Sequence, residues 1–156
     1  MEAPVKNDVW HTLSQVDVSH LVQSKNGMDF VPWMDAWAEL KKHYPDATME
    51  KHWPTSSLDD GSYMVFVTIS IPSREVAHTD MLPVKDFRNK AIFNPNTMDI
   101  NTAFQRCMVK TIAGLGLGYK LWSHMDEEVT AVPAKSSRST DAVLNKVKKV
   151  RHDDEL

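Results

Sequence analysis

Tyr63, Val65, Val67, Ile69 and Ile71 fall on one side of a strictly alternating run, with Met64, Phe66, Thr68 and Ser70 on the other. A period of two is the signature of a half-buried strand, so residues 63–71 predict a strand. The Pro72-Ser73 step is short enough for a hairpin into a second strand over 74–84, and residues 47–53 read as a third. Pro83 cannot donate to a ladder and belongs at a strand end or an edge. On either side of this block the period changes to that of a helix. Trp33, Ala36, Trp37, Leu40 and Tyr44 share one face of a helix predicted over 32–43, opened by Pro32 and stopped by Pro45. Ile100, Phe104, Cys107, Met108, Thr111 and Leu115 share one face of a second helix predicted over 99–115, with Asp99 near its N-terminus and Gly114, Gly116 and Gly118 at its end.

The remaining segments are less regular. Val9, Leu13, Val16 and Leu21 form a weak helical pattern within residues 1–24, too sparse to predict a core element. Asn26-Gly27 marks a tight turn before a short extended run at 28–31. Residues 85–98 contain Asn94-Pro95-Asn96 and no clean period, which reads as an exposed loop. Beyond Trp122 the chain becomes acidic and then rich in Ser, Pro and Ala. This predicts a folded domain over 1–125, and over 126–156 a linker and a short flexible tail in which Val143, Leu144, Val147 and Val150 could form a helical turn or two.

Composition narrows the class. With 156 residues, 42% hydrophobic and 25% charged, the chain fits one globular domain, and its 5 Gly and 8 Pro are too few for a fibrous or disordered protein. No apolar run is long enough to cross a membrane, and Glu2, Lys6 and Asp8 stand where a signal peptide needs apolar residues, so a cytoplasmic protein without a membrane partner is expected. One cysteine, Cys107, excludes an intrachain disulfide and a thiolate-based zinc site, and no His pair has H-x-x-x-H spacing.

A net charge of -3 conceals an uneven distribution. Residues 85–120 hold Lys85, Arg88, Lys90, Arg106, Lys110 and Lys120 against Asp86 and Asp99, a local +4 that leaves -7 for the rest. Such an island can be ordinary solvated surface or the footprint of a polyanion. Arg106 and Lys110 lie four apart on the second helix, with Thr102 and Gly114 rather than carboxylates at the flanking i-4 and i+4 positions, so an external anion would relieve their repulsion. In the preceding loop Lys85, Arg88 and Lys90 alternate with Phe87 and Phe93. Cations that neutralise phosphates beside aromatics that stack on bases suit sequence-tolerant binding of single strands, although both Phe residues could equally close the core. The Gly114 to Gly118 run follows a helix rather than a strand, which argues against a dinucleotide loop and for helix termination. Cys107 on an apolar face reads as a small buried hydrophobe. Glu50, Asp80, Asp86 and Asp99 could gather round a metal ion as in a nuclease, but no spacing demands it.

Three segments carry a family resemblance. Residues 25–48, with Asp-Phe-Val-Pro-Trp and the Trp-x-x-x-Trp helix, the run Met81-Leu-Pro-Val-Lys-Asp86, and residues 99–118, with Asp-Ile-Asn and Arg-Cys-x-Val-Lys, together resemble the phage Sak-three family of single-strand annealing proteins over about residues 9–125. The wider superfamily includes the eukaryotic Rad fifty-two protein and the phage proteins Erf, Red-beta and RecT. The resemblance implies an α+β fold, a curved antiparallel sheet packed against a long helix. It also implies assembly into homo-oligomeric rings or filaments in the host bacterial cytoplasm.

Basic residues of the helix after the sheet contact DNA in that superfamily, which implies the same for Arg106 and Lys110, and for Lys85 by its place in Leu-Pro-Val-Lys. Arg88, Lys90, Phe87, Phe93 and Lys120 join the expected site on chemistry alone, since the stretch between Val84 and Met98 is short for the family. Pro32 also departs from it, standing where a Ser N-cap is usual. The expected function is ATP-independent, non-catalytic binding and annealing of single-stranded DNA in recombination and repair, with no cofactor. The nascent duplex, a host single-strand-binding protein and a phage exonuclease are the further candidate partners. A strand-coating protein without annealing activity, or a metal-dependent nuclease, are the alternatives.

Overall fold

The computed structural model describes residues 8–54 and 57–123. Its elements follow the chain as α1 (Asp8–Ser14), β1 (Gln23–Lys25), β2 (Met28–Phe30), α2 (Trp33–His43), β3 (Thr48–His52), β4 (Met64–Ile71), β5 (Val76–Pro83) and α3 (Thr97–Gly114). The fold is α+β, with an antiparallel β3-β4-β5 sheet and a separate β1-β2 hairpin. The linker and tail expected over 126–156, with the boundary at 125, lie outside the described residues.

Alternation decides the sheet. Val65, Val67, Ile69 and Ile71 of β4 are fully buried, whereas Phe66 on the opposite face is exposed. Register pairs Thr68 with Glu50 on one side and Thr79 on the other, so directly opposed residues share a face across all three strands. Pro83 ends β5 opposite Met64, where its missing donor harms no interior ladder. The β4-β5 connection is a 3-10 turn, Pro72–Arg74, followed by Glu75 in the left-handed region at φ 54°. Asn26 and Gly27 likewise both have positive φ, 53° and 75°, as a two-residue hairpin turn requires.

The 18-residue α3 packs across β4 and β5, and α2 packs against α3. Phe104, Cys107, Met108, Thr111 and Ile112 form its buried face. This helix begins two residues before Asp99. Asn96 is the N-cap, accepting from the Asp99 backbone N–H while the Asp99 carboxylate accepts from the Asn96 N–H, a reciprocal capping box. Similarly α2 starts at Trp33, with Pro32 at the capping position rather than inside the helix. On its apolar face Ala36, Leu40 and Tyr44 are buried, while Trp33 and Trp37 pack from the rim, and Lys41 Nζ lies 5.6 Å from the Trp37 ring centroid.

At the N-terminus the structure departs from expectation. The sparse pattern there yields a core element after all, since Val9 and Leu13 of α1 are buried. A seven-residue helix shows little periodicity, and its packing partner is distant in sequence. Gly116, at φ 122°, brings its backbone so close that an added Cβ would stand 2.9 Å from the Ser14 N. At Gly114 an added Cβ would meet His78 Nε2 at 2.3 Å, so the glycines end α3 and allow close packing, as expected.

Candidate nucleic-acid interface

The stretch after β5 is more ordered than its sequence pattern suggests. Ile92 N donates to Val84 O at 3.0 Å and Asp86 N donates to Lys90 O at 2.9 Å, with Lys85 and Ala91 bridged, so the chain doubles back as a small hairpin. Its three-residue tip is Phe87, Arg88 and Asn89, with Asn89 in the left-handed region at φ 60°, the conformation that lets a three-residue loop join two antiparallel arms. The Asp86 carboxylate oxygen Oδ1 braces the tip from inside, accepting from Arg88 N at 2.8 Å and Lys90 N at 3.1 Å. Those bonds, the one from Lys90 first, hold the Asp86 carboxyl below its ordinary value.

The arms of this finger are anchored by buried Val84 and partly buried Ile92, and the side chains from its tip to Ala91, with Phe93 just beyond, are exposed. Phe87 is 77% exposed, Phe93 is 58% exposed, and the Arg88 guanidinium lies 5.2 Å from the Phe87 ring centroid. The two phenylalanines therefore do not close the core. Arg88 and Lys90 are exposed and in no salt bridge among the described residues. Lys85 sits half-buried at the base of the finger. A segment without sequence periodicity thus becomes a braced projection bearing cations and aromatic faces, which can grip a polyanion and stack on planar groups.

On α3, Arg106 is half-exposed and in no ion pair among the described residues. Lys110 behaves differently from expectation. Its Nζ lies 3.4 Å from Asp80 Oδ1 and donates to Met81 O at 3.0 Å, so a carboxylate does relieve it. The partner comes from β5, not from a helical neighbour, which is why counting four residues along α3 misses it. Asp80 also faces His78, with Nε2 3.6 Å from Oδ2. Lys120 is not with the finger. It lies past the C-terminal end of α3 and lines an open cavity of about 620 Å³ with residues of the α1 exit such as Gln15 and Asp17, whereas the finger lies before the N-terminal end of a helix roughly 26 Å long.

Cys107 is fully buried, and burial pushes its thiol up to about 11, as its reading as a small hydrophobe requires. The four carboxylates considered for a metal do not assemble: Glu50 faces out from β3, Asp80 meets Lys110, Asp86 braces the finger and Asp99 caps α3. Among the described residues no group of three His, Cys, Asp or Glu side chains is placed to hold a metal ion, and no helix is long and apolar enough to cross a membrane.

Two features of this end escape the sequence reading. Asp86 reads there as an offset to the basic charge and as a metal candidate, not as a brace, although an Asp three residues before an Asn is a turn signal. Trp53, just past β3, is 60% exposed and meets Phe104 edge to face, with centroids 5.1 Å apart. Alternation along 47–53 places it on the apolar side, which suggests core rather than surface.

Compared with known proteins, the chain matches the family model described as Sak Single Strand Annealing Protein over residues 7–152. The match continues past residue 125, where the resemblance read from the sequence stops. No curated protein matches the chain.

Proposed function

The chain belongs to the Sak family of single-strand annealing proteins, and from that premise we propose that it binds single-stranded DNA and anneals complementary strands without ATP, as a non-catalytic recombination protein. The family match over residues 7–152 carries this reading. Annealing is driven by base pairing itself, so a protein that promotes it needs neither nucleophile nor nucleotide. It must neutralise two mutually repelling backbones and keep bases unpaired until they match. Phe87, Arg88, Lys90 and Phe93 on the finger, with Lys85 at its base and Arg106 on α3, are the proposed DNA-binding residues. Lys110 contributes through its charge while held by Asp80. Lys120 would touch DNA only where a strand runs the full length of α3.

A single subunit offers too short a surface to align two long strands. The proposal therefore includes a homo-oligomer, ring or filament, that holds the strand and the nascent duplex along successive fingers. A host single-strand-binding protein or a phage exonuclease would be met outside that surface, in the bacterial cytoplasm. Mixing complementary labelled oligonucleotides with the protein, without ATP, tests the reading. Faster duplex formation is expected, together with rings or filaments in electron micrographs of the DNA-bound protein. Tight binding without faster pairing would leave a coating protein, and magnesium-dependent shortening of the strands would reveal a nuclease.

A further inference from the structure

Trp53 and Lys51 occupy the side of the sheet opposite the finger. Lys51 pairs with Val67, and the same register carried one step beyond His52 sets Trp53 beside Val65, which in turn opposes Leu82. Val67, Val65 and Leu82 are buried on the helix-bearing face, so Lys51 and Trp53 belong to that face too. They stand at the β3 edge, while the finger continues from β5, two strand spacings or about 10 Å away. Between them lies α3, whose Phe104 touches Trp53 and whose Cys107 Sγ is 3.9 Å from Val65 O. Arg106 follows Phe104 by two residues on the same helix.

The indole is not held as a core residue would be. Its contact with Phe104 has an interplanar angle of 68°, an edge-to-face meeting that leaves at least one indole face open. It is the most exposed of the described tryptophans, against 45% for Trp10, which also pairs with Tyr119. Lys51 is exposed, and its side chain forms no ion pair or hydrogen bond among the described residues. The opposite face of the sheet differs in charge: Thr48, Glu50 and His52 of β3 share it with Phe66, Thr68, Thr79 and Met81, and it carries no Lys or Arg. Cation and aromatic therefore come together at the β3 edge on the helix-bearing side, and again on the finger that continues from β5 at the other edge.

Resting on the proposed single-strand binding, we infer that Trp53 is a second base-stacking position and Lys51 its phosphate contact, forming with the finger the two lips of a site whose floor is α3 from its start to Arg106 at its middle. A strand that crosses from Phe87 to Trp53 passes Arg106 between two aromatic platforms. Its bases are then held apart from one another by stacking on protein, the state from which pairing with a second strand begins.

Binding of a labelled oligothymidylate to the full-length protein, followed by anisotropy across a salt series, tests the assignment with Trp53→Ala, Trp53→Phe, Lys51→Ala and Arg88→Ala. Trp53→Ala should weaken binding ~10-fold with the salt slope unchanged, Trp53→Phe should restore most of the loss, and Lys51→Ala should lower the slope by about one. Oligothymidylate should also quench tryptophan fluorescence in the parent, and less so in Trp53→Phe, a readout that survives if Trp53→Ala folds poorly. Unchanged affinity and quenching in the Trp53 variants, while Arg88→Ala weakens binding, would overturn the second lip and leave the proposed function standing. Loss of self-association with normal binding of a short oligonucleotide would also overturn it, by making Trp53 a subunit contact. Failure of the parent itself to bind would instead remove the function on which the inference rests.

Discussion

Asp86 separates two physical effects that usually act together. As a negative charge beside Arg88 and Lys90 it should repel a polyanion, yet its Oδ1 holds both of their backbone N–H groups and so shapes the finger. Replacement by Asn keeps that oxygen and removes the charge, whereas Ala removes both. Asp86→Asn should bind single strands as well as the parent or better, and Asp86→Ala should bind several-fold more weakly despite being more basic. Equal gains in both variants, measured by anisotropy, would mean that bracing is unimportant. Cys107 gives a second residue-scale expectation. Its thiol has a folded value of about 11 against an ordinary 9.0, so the protonated form is favoured by folding. The associated stability is complete below pH 9.0 and is lost as pH rises through about 11. Ellman's reagent at pH 8 should therefore leave the native protein unlabelled and label one thiol on denaturation.

Among the elements, α3 depends on its start. The Asn96–Asp99 capping box satisfies two orphan backbone donors where the chain leaves the finger and enters the helix. Asn96→Ala should cost about 1 kcal/mol in denaturant unfolding, whereas Asn96→Asp, which keeps an accepting oxygen at the cap, should lose little of it. For α2 the rim position of Trp37 lowers what its size alone would suggest. Leu40, fully buried, should lose about 2–5 kcal/mol on Leu40→Ala, and Trp37→Ala less than that, because solvent and neighbouring side chains can occupy part of the space at the rim. A larger loss at Trp37 than at Leu40, by chemical denaturation, would return Trp37 to the centre of the core.

At the scale of the molecule, charge is sorted by end and by face. The finger precedes the N-terminal end of α3, Arg106 lies at the middle of the helix, Lys120 lies past its other end, and Lys110 is neutralised locally by Asp80. Arg106→Ala should accordingly reduce the salt slope of single-strand binding by about one and leave the melting temperature nearly unchanged. Lys110→Ala should change the slope less, since binding must compete with Asp80, and should lower stability slightly by removing the lysine from that carboxylate, which keeps the Met81 N–H and faces His78. Equal slope changes for the two variants would place both on the DNA in the same way.

Much of this arrangement follows from local chemistry. Period-two alternation at 63–71, the apolar faces of residues 33–44 and 100–115, the paired positive φ of Asn26-Gly27 and the stop at Gly114 each depend on neighbours within a few residues, which a linear pattern records. The same holds for the family, since the resemblance rests on short runs at 25–48, 81–86 and 99–118 that are read in sequence, and the family match covers all three. Other features were decided by residues far apart in the chain. Lys110 meets Asp80 across a helix–sheet contact, α1 enters the core because Gly116 lets its backbone approach, and Trp53 is exposed because it lies at the edge of the sheet rather than beneath α2 and α3. Composition could mark Phe87 and Phe93 as aromatic but not as outward. Their exposure depends on a hairpin whose arms pair Val84 with Ile92 and whose tip is tied to one carboxylate oxygen, and only the folded backbone brings those groups within hydrogen-bonding distance.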